Sequence, residues 1–394
     1  MQRSHAVLSL LASLVGSLGT LPVLAAEWPG ARDQAAAPLI SAPWVTNGAT
    51  GLAQNQTASN LSPAQQEQFD ELLRQGQARV TAKDYAGAIA LYEQAAALDP
   101  RNARLFSGMG YLYIQQGNFA EAVLAYRQAL SLDSRNLAFQ YGLAHSLYHN
   151  NQVEAALATY RDIVASHPRE ANAYLGIGAI QLQQQDYEGA LQTYQALVSA
   201  VPGNAQAYEA LGNLYIQQGD YDQALVYLNQ GLRASPNQSN LYVTIASIYL
   251  LQDNPAEARK NLQQALAADS SNARAQHQMG YLLYQEGDRE GAFEHLARAV
   301  RLDPDLVAAH ALLGKLLLER EQYLQAVLSY RRVVEAHPND PAAFYNLGLA
   351  LWGQGMHAQA VSNINVAAML YERQGDLGGA ERARELITFW GFQR

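Results

Sequence analysis

The sequence repeats itself every 34 residues from Phe69 to residue 374, and this period limits the possible folds more than any other feature. Helix-breaking residues and alanines both recur at this spacing without an insertion. The helix-breaking positions are Pro100, Ser134, Pro168, Pro202, Pro236, Ser270, Pro304 and Pro338. The alanine positions are Ala88, Ala122, Ala156, Ala190, Ala224, Ala258, Ala292, Ala326 and Ala360. A strict period of this length predicts stacked copies of one small unit rather than a single globular core.

Each unit has the pattern of two antiparallel helices, here called helix A and helix B. In the fifth unit, helix A carries Tyr208, Leu211, Gly212 and Tyr215, whose spacing predicts one apolar face. Asp220 precedes helix B and is a predicted N-cap. The eighth residue of each unit is small, and we expect the two helices to approach most closely there, because a larger side chain would separate them. These residues are Gly76, Gly110, Ala144, Gly178, Gly212, Ala246, Gly280, Gly314 and Gly348.

The pattern resembles the tetratricopeptide-repeat family over residues 67–374. The nine predicted repeats are 69–102, 103–136, 137–170, 171–204, 205–238, 239–272, 273–306, 307–340 and 341–374. Arg79 in the first repeat and Glu372 in the ninth depart from the family pattern. The resemblance implies an all-α fold, a right-handed superhelical solenoid in which helix A lines the concave side.

Both ends of the chain differ from the repeats. Residues 1–25 combine Arg3, an apolar run and small residues before Ala26, which predicts a signal peptide; an uncleaved membrane anchor is the alternative. Residues 26–66 are rich in Pro, Ala and Gln and are predicted to be a flexible tether, in which Trp28 and Trp44 either pack on the first repeat or form a docking motif. We therefore expect an exported protein, periplasmic or secreted, that is soluble or peripherally attached to the cell envelope.

The last segment, residues 375–394, predicts a capping helix and a tail. A terminal repeat leaves one face uncovered, and a short amphipathic helix can close it. The residues expected to face the ninth repeat are Leu377, Ala380, Ala383, Ile387 and Trp390. The aromatic residues at this end are interpreted as packing residues.

The composition argues against several classes of function. The chain has no cysteine, which excludes thiolate metal sites and cysteine nucleophiles, and its net charge of -9 disfavours nucleic acid as a partner. His145 and His149 lie one helical turn apart, but the equivalent residues of the neighbouring repeats are poor zinc ligands. No catalytic motif or second domain is evident, so we expect neither an enzyme nor a cofactor.

The remaining candidates are on helix A. Positions 4, 7, 8 and 11 of each repeat are predicted to face helix B, which leaves positions 2, 5, 9 and 13 for the groove. Position 12 is expected to pack against the next repeat, whereas positions 5 and 9 are expected to be exposed. The predicted partner-binding residues are Tyr111, Tyr141, His145, His149, Asn172, Asn213, Gln217, His277, Tyr281 and Tyr345. This aromatic, amide-rich lining suits an extended peptide or a glycan strand.

The sequence thus predicts a non-catalytic protein–protein interaction scaffold of the bacterial cell envelope, which binds an extended partner segment in the concave groove. Two alternatives remain open: a glycan-binding module in exopolysaccharide export, and an assembly chaperone for a membrane complex or a type IV pilus. The partner is expected to be a protein or peptide, with a polysaccharide as the alternative. The sequence does not define the oligomeric state.

Overall fold

A computed structural model describes residues 61–391, so the predicted signal peptide and nearly all of the predicted tether lie outside the described residues. Within this range every regular element is an α-helix. The helices are α1 (Pro63–Thr81), α2 (Tyr85–Leu98), α3 (Ala103–Gln115), α4 (Phe119–Leu132), α5 (Leu137–His149), α6 (Val153–Ser166), α7 (Ala171–Gln183), α8 (Tyr187–Ala200), α9 (Ala205–Gln217), α10 (Tyr221–Ala234), α11 (Ser239–Leu251), α12 (Pro255–Ala268), α13 (Ala273–Gln285), α14 (Arg289–Leu302), α15 (Val307–Glu319), α16 (Tyr323–Ala336), α17 (Pro341–Gly353), α18 (His357–Arg373) and α19 (Leu377–Phe389). None of these helices is both long and apolar enough to cross a lipid bilayer.

Helices A and B alternate along the chain with the predicted period. From the second to the eighth repeat, helix A has 13 residues and helix B has 14. Side chains cap helix B at its start: the carboxylate of Asp220 accepts a hydrogen bond from the N–H of Gln223, and the amide oxygen of Asn254 accepts one from Glu257. The predicted all-α repeat fold is confirmed.

Close approach of helices A and B explains the small residues. All nine recurring alanines of helix B are completely buried. A Cβ atom added to Gly110 would lie 2.7 Å from the ring of Tyr126, which is closer than packed atoms allow. Sixteen residues after each small residue, helix B carries a Tyr, Leu or Ile. At six of the glycines this side chain lies over the small residue, as Leu296 lies over Gly280. The predicted site of closest approach is confirmed at these positions.

The chain forms two compact units, which divide within helix α9 between Leu214 and Tyr215. In the N-terminal unit, apolar clusters surround Tyr92 and Tyr160, both of which are buried. In the C-terminal unit, one apolar cluster extends from Ala246 to Trp390.

Helix α19 covers the last repeat, but its inner face differs from the prediction. Ala380, Ala383 and Trp390 are buried as expected. Leu377 was expected to be buried, yet it is 71% exposed, because it lies at the exposed start of the helix, where Gly378 is exposed as well. Leu386 is buried, whereas Ile387 is only partly buried. The indole ring of Trp390 stacks on that of Trp352 at 4.0 Å between ring centroids.

Candidate partner-binding surfaces on helix A

Helix A is covered by more neighbours than its own helix B, and the prediction that position 5 is exposed is wrong. Tyr141 is only 2% exposed; its ring lies against Tyr160 of helix B, and its hydroxyl donates to Glu170, which precedes the next helix A. Other predicted groove residues are also buried, at position 5 or position 9. They are His145, Asn213, His277 and Tyr345. Adjacent repeats close over this side of helix A, which a pattern within one repeat does not show.

The other five predicted residues have surface in contact with solvent. Tyr111, Asn172 and Tyr281 are partly buried, and His149 and Gln217 are exposed. The buried amide oxygen of Asn213 has no hydrogen-bond partner within residues 61–391. The predicted groove is therefore narrower than the sequence suggested.

Position 13, at the C-terminal end of helix A, is exposed in each repeat from the second to the ninth. Four of its eight residues are glutamines; the others are one histidine, one glutamate, one leucine and one glycine. The eight residues are Gln115, His149, Gln183, Gln217, Leu251, Gln285, Glu319 and Gly353. The most accessible side chains of helix A are thus at its C-terminal end rather than in its middle.

The first residue of helix B, at position 17, lies beside position 13 of the next repeat. Phe119 stacks on His149, Arg289 forms an ion pair with Glu319 at 3.3 Å, and the ring of Tyr323 lies over Gly353. Sequence reasoning missed this contribution of helix B. A signal was present, because position 17 is often aromatic. These aromatic residues are Tyr85, Phe119, Tyr187, Tyr221 and Tyr323.

In the N-terminal unit, this contact produces an aromatic patch formed by Phe119, His145, Tyr148 and His149. The exposed His149 ring is stacked on Phe119 at 4.9 Å and 20°, and it meets the ring of Tyr148 edge-on at 5.2 Å. His145 lies beneath it, with 4.4 Å between the imidazole centroids. The patch offers flat apolar area with polar groups at its edge, which is suited to binding another chain.

Burial affects the two histidines of the aromatic patch differently. Desolvation, with a smaller contribution from the neighbouring His149, lowers the pKa of His145 to about 4. Its buried Nδ1 atom has no hydrogen-bond partner within the described residues. Desolvation also lowers the pKa of His149. The patch is therefore largely uncharged at neutral pH, and it favours apolar and hydrogen-bonding ligands over strongly charged ones.

The C-terminal unit has a different surface around Tyr284, at position 12 of the seventh repeat. The guanidinium of Arg289 lies 4.0 Å from the centre of the Tyr284 ring, and the ammonium of Lys315 lies 5.1 Å from it. The Tyr284 hydroxyl donates to Glu319 of the next repeat. Two cations and one carboxylate around a single ring make this surface more charged than the aromatic patch.

Position 12 packs against the next repeat, as predicted. The hydroxyl of Tyr148 donates to the Gln183 amide oxygen at 2.7 Å, and that of Tyr284 donates to Glu319 at 3.3 Å. Trp352 makes the corresponding contact with the capping helix through Trp390. These side chains hold adjacent repeats together and also form the walls of the accessible surface.

Comparison with known families identifies the repeat. Models described as tetratricopeptide repeat match residues 79–124, 141–205, 181–248 and 239–272, and a model described as TPR repeat matches 110–151, 280–320 and 314–355. These ranges cover the chain from residue 79 to residue 355 except for 273–279. No curated protein matches the chain.

Solved structures show similar arrangements of helices. The APC/C hetero-tetramer Cut9–Hcn1 contains a chain that is 17% identical, with a TM-score of 0.50; the match covers 75% of this chain and 58% of that one. A tetratricopeptide repeat protein from Parabacteroides merdae is 20% identical with a TM-score of 0.47, covering 64% of this chain and 99% of that one. YrrB, a TPR protein with an unusual peptide-binding site, is 23% identical with a TM-score of 0.34, covering 48% and 98%.

These likenesses concern the fold alone. The assignment depends on the family matches, on the 34-residue period and on the regular pairs of helices. The chain belongs to the tetratricopeptide-repeat family.

Proposed function

We propose that the protein is a non-catalytic scaffold of the bacterial cell envelope that binds an extended segment of a partner protein. Tetratricopeptide repeats are typically interaction modules, and membership of the family supports a protein-interaction scaffold. The predicted signal peptide at residues 1–25 supports the envelope location. The partner itself is defined only by the chemistry of the surface that would bind it.

The aromatic patch of the N-terminal unit is the observation that carries this proposal. His149 is exposed although its ring is stacked on Phe119, so a flat apolar surface remains in contact with solvent. The exposed amides of Gln115 and Gln183 occupy the equivalent position in the repeats on either side. An extended peptide could place an apolar side chain on the rings and pair its backbone with the amides.

The experiment replaces the two stacked rings of the patch, the exposed His149 and the partly buried Phe119. Phe119→Ala combined with His149→Ala should weaken capture of the native partner by roughly 30-fold or more, since truncating a single aromatic residue at an interface centre often costs roughly 2 kcal/mol and the losses at two residues need not add. The bait is the purified protein, and the partner is identified by mass spectrometry from an envelope fraction of the source organism. Its affinity for each variant is then measured with the purified partner.

Leu124→Ala is the matched control. It removes an apolar side chain that is 66% exposed on the same helix, α4, but lies outside the patch. We expect the control to keep the partner's affinity. Equal affinity for the patch variant and the wild type would refute binding at the patch. Capture of a polysaccharide instead of a protein would favour the glycan-binding alternative.

A further inference from the structure

A cavity of about 340 Å³ lies on the helix-B side of the seventh repeat, in the C-terminal unit. Its lining consists of Ser270, Ser271, Arg298, Arg301 and Leu302. A second cavity of about 310 Å³ shares both arginines and is also lined by Gln276 and His295. Both arginines therefore line two adjacent cavities. Neither cavity is lined by a residue of the aromatic patch or of the surface around Tyr284.

Neither arginine has an acidic side chain within ion-pair distance among the described residues. Arg298 and Arg301 are both exposed, lie on one face of α14, and form no ion pair within residues 61–391. This is notable in a chain with 35 acidic and 26 basic residues. Arg301 is in the last turn of the helix, where the helix dipole partly stabilises its charge, whereas Arg298 is one turn earlier. Two adjacent unpaired cations repel each other, and an anion between them would relieve that repulsion.

The repeat fold does not require this pair. Residues equivalent to Arg298 and Arg301 occur in every repeat, and in no other repeat are both of them basic. In the eighth repeat, Arg332 corresponds to Arg298, but Glu335 stands in place of Arg301 and forms an ion pair with Arg332 at 3.9 Å. In the eighth repeat, the charge of the equivalent arginine is thus balanced by a glutamate of the same helix. Packing of the helices does not explain the two arginines of the seventh repeat.

Hydrogen bonds fix the orientation of His295 beside the arginines. The Gln276 side-chain nitrogen donates to the carbonyl of Ser270 at 3.0 Å, so its oxygen is the atom that faces His295 Nδ1 at 2.7 Å. Nδ1 must therefore carry a proton and donate it. His295 Nε2 remains as the polar atom that can meet a ligand in the second cavity.

Two acidic residues bear on the cavities: Asp269 precedes Ser270 in the chain, and Glu294 lines the second cavity. Asp269 Oδ1 accepts from both the backbone N–H and the hydroxyl of Ser271, at 2.9 and 2.6 Å. Since those bonds use the donors of Ser271, the hydroxyl of Ser270 is the serine donor left for a ligand. Glu294 lines only the second cavity. The first cavity is therefore lined by two guanidinium groups and two hydroxyls, of which that of Ser271 already donates to Asp269, and its lining has no carboxylate.

We propose that this cavity binds a phosphate group between Arg298 and Arg301, either as the free ion or as a phosphate monoester. Guanidinium groups bind phosphate oxygens through paired N–H donors, and two of them match the charge of a phosphate dianion. The Ser270 hydroxyl adds a third donor, and His295 lies at the edge of the site. Leu302 provides apolar surface for the molecule that carries the phosphate.

The experiment titrates the purified full chain with inorganic phosphate in a low-chloride buffer and measures heat by calorimetry. Arg298→Ala combined with Arg301→Ala should weaken phosphate binding at least about tenfold, because two charge-assisted contacts are lost. Arg332→Ala, the equivalent change in the eighth repeat, should leave it within about twofold, because that arginine is already paired. Circular dichroism should show unchanged folding, since all three side chains are exposed.

Two further ligands identify the chemistry. Acetate, with one charge, should bind at least about tenfold more weakly than phosphate. Phosphoserine binding more tightly than inorganic phosphate would indicate a monoester ligand, whereas equal binding would indicate the free ion. The proposal is overturned if phosphate does not bind, if the double variant binds it as the wild type does, if Arg332→Ala loses binding equally, or if acetate binds equally well.

Discussion

At the scale of single residues, one left-handed residue joins helix A to helix B in every repeat. Position 15 has a φ between 54° and 86° throughout, with Gly at Gly117 and Gly219 but Gln at Gln185, where φ is 62°. A Cβ atom is strained in this conformation. We expect Gln185→Gly to raise the free energy of unfolding by about 0.5 kcal/mol, measured by urea denaturation. Gly219→Ala should lower the free energy of unfolding by about 1 kcal/mol. If Gln185→Gly lowered this free energy and Gly219→Ala raised it, the left-handed conformation would not be the cause.

A second residue-scale effect concerns pH. His145 has a pKa of about 4 in the fold, against an ordinary value of 6.5, because burial disfavours its charged form. The stabilisation from its neutral form is therefore complete above about pH 6.5 and is lost as the pH falls towards 4. When the pH is lowered from 7 to 4.5, the free energy of unfolding should fall less for His145→Asn than for the wild type. The difference should be on the order of 2 kcal/mol.

Urea denaturation at a series of pH values measures this difference. His337→Asn, which replaces an exposed imidazole at the end of α16, is the control and should follow the wild type. Parallel curves for His145→Asn and the wild type would show that His145 is not responsible for the loss of stability.

At the scale of elements, the capping helix α19 stabilises the last repeat through one ring. Trp390 is 9% exposed and stacks on Trp352 with only 5° between the ring planes. Trp390→Ala should destabilise the C-terminal repeat by about 3 kcal/mol and increase hydrogen exchange in α17 and α18. Phe389→Ala is the control: its ring is 53% exposed, and we expect a change of about 0.5 kcal/mol or less. Similar exchange in both variants would mean that α19 does not stabilise the repeat through Trp390.

At the scale of the whole molecule, each repeat depends mainly on its neighbours in the chain. Ala190 is completely buried between helices A and B of the fourth repeat. Ala190→Leu should overpack this contact at a cost of about 1–3 kcal/mol and increase hydrogen exchange in the third and fourth repeats. The eighth repeat should keep its protection. Gln192→Leu, exposed on the same helix, should change neither region. Equal loss of protection along the chain would indicate a single cooperative unit.

The repeat, its helix pairs and their internal contacts could be predicted from the sequence because they depend on neighbours at fixed separations along the chain. Asp220 caps its helix as predicted, and Gly110 occupies a predicted close contact. Each of these roles is decided within about 34 residues. A periodic pattern reports such local requirements directly.

Accessibility was decided by the tertiary structure instead. Tyr141 and His277 were predicted to be exposed because position 5 was not expected to face helix B, yet both are buried. The ring of Tyr141 lies against Tyr160 of helix B, and its hydroxyl reaches Glu170 at the start of the next helix A. Phe119 was not a candidate, but packing between adjacent repeats brings it against His149. Helical periodicity assigns a side chain to a face of its own helix. Which part of that face meets solvent depends on how closely the next repeat is stacked, and this distance is set by the summed packing of all the side chains between them.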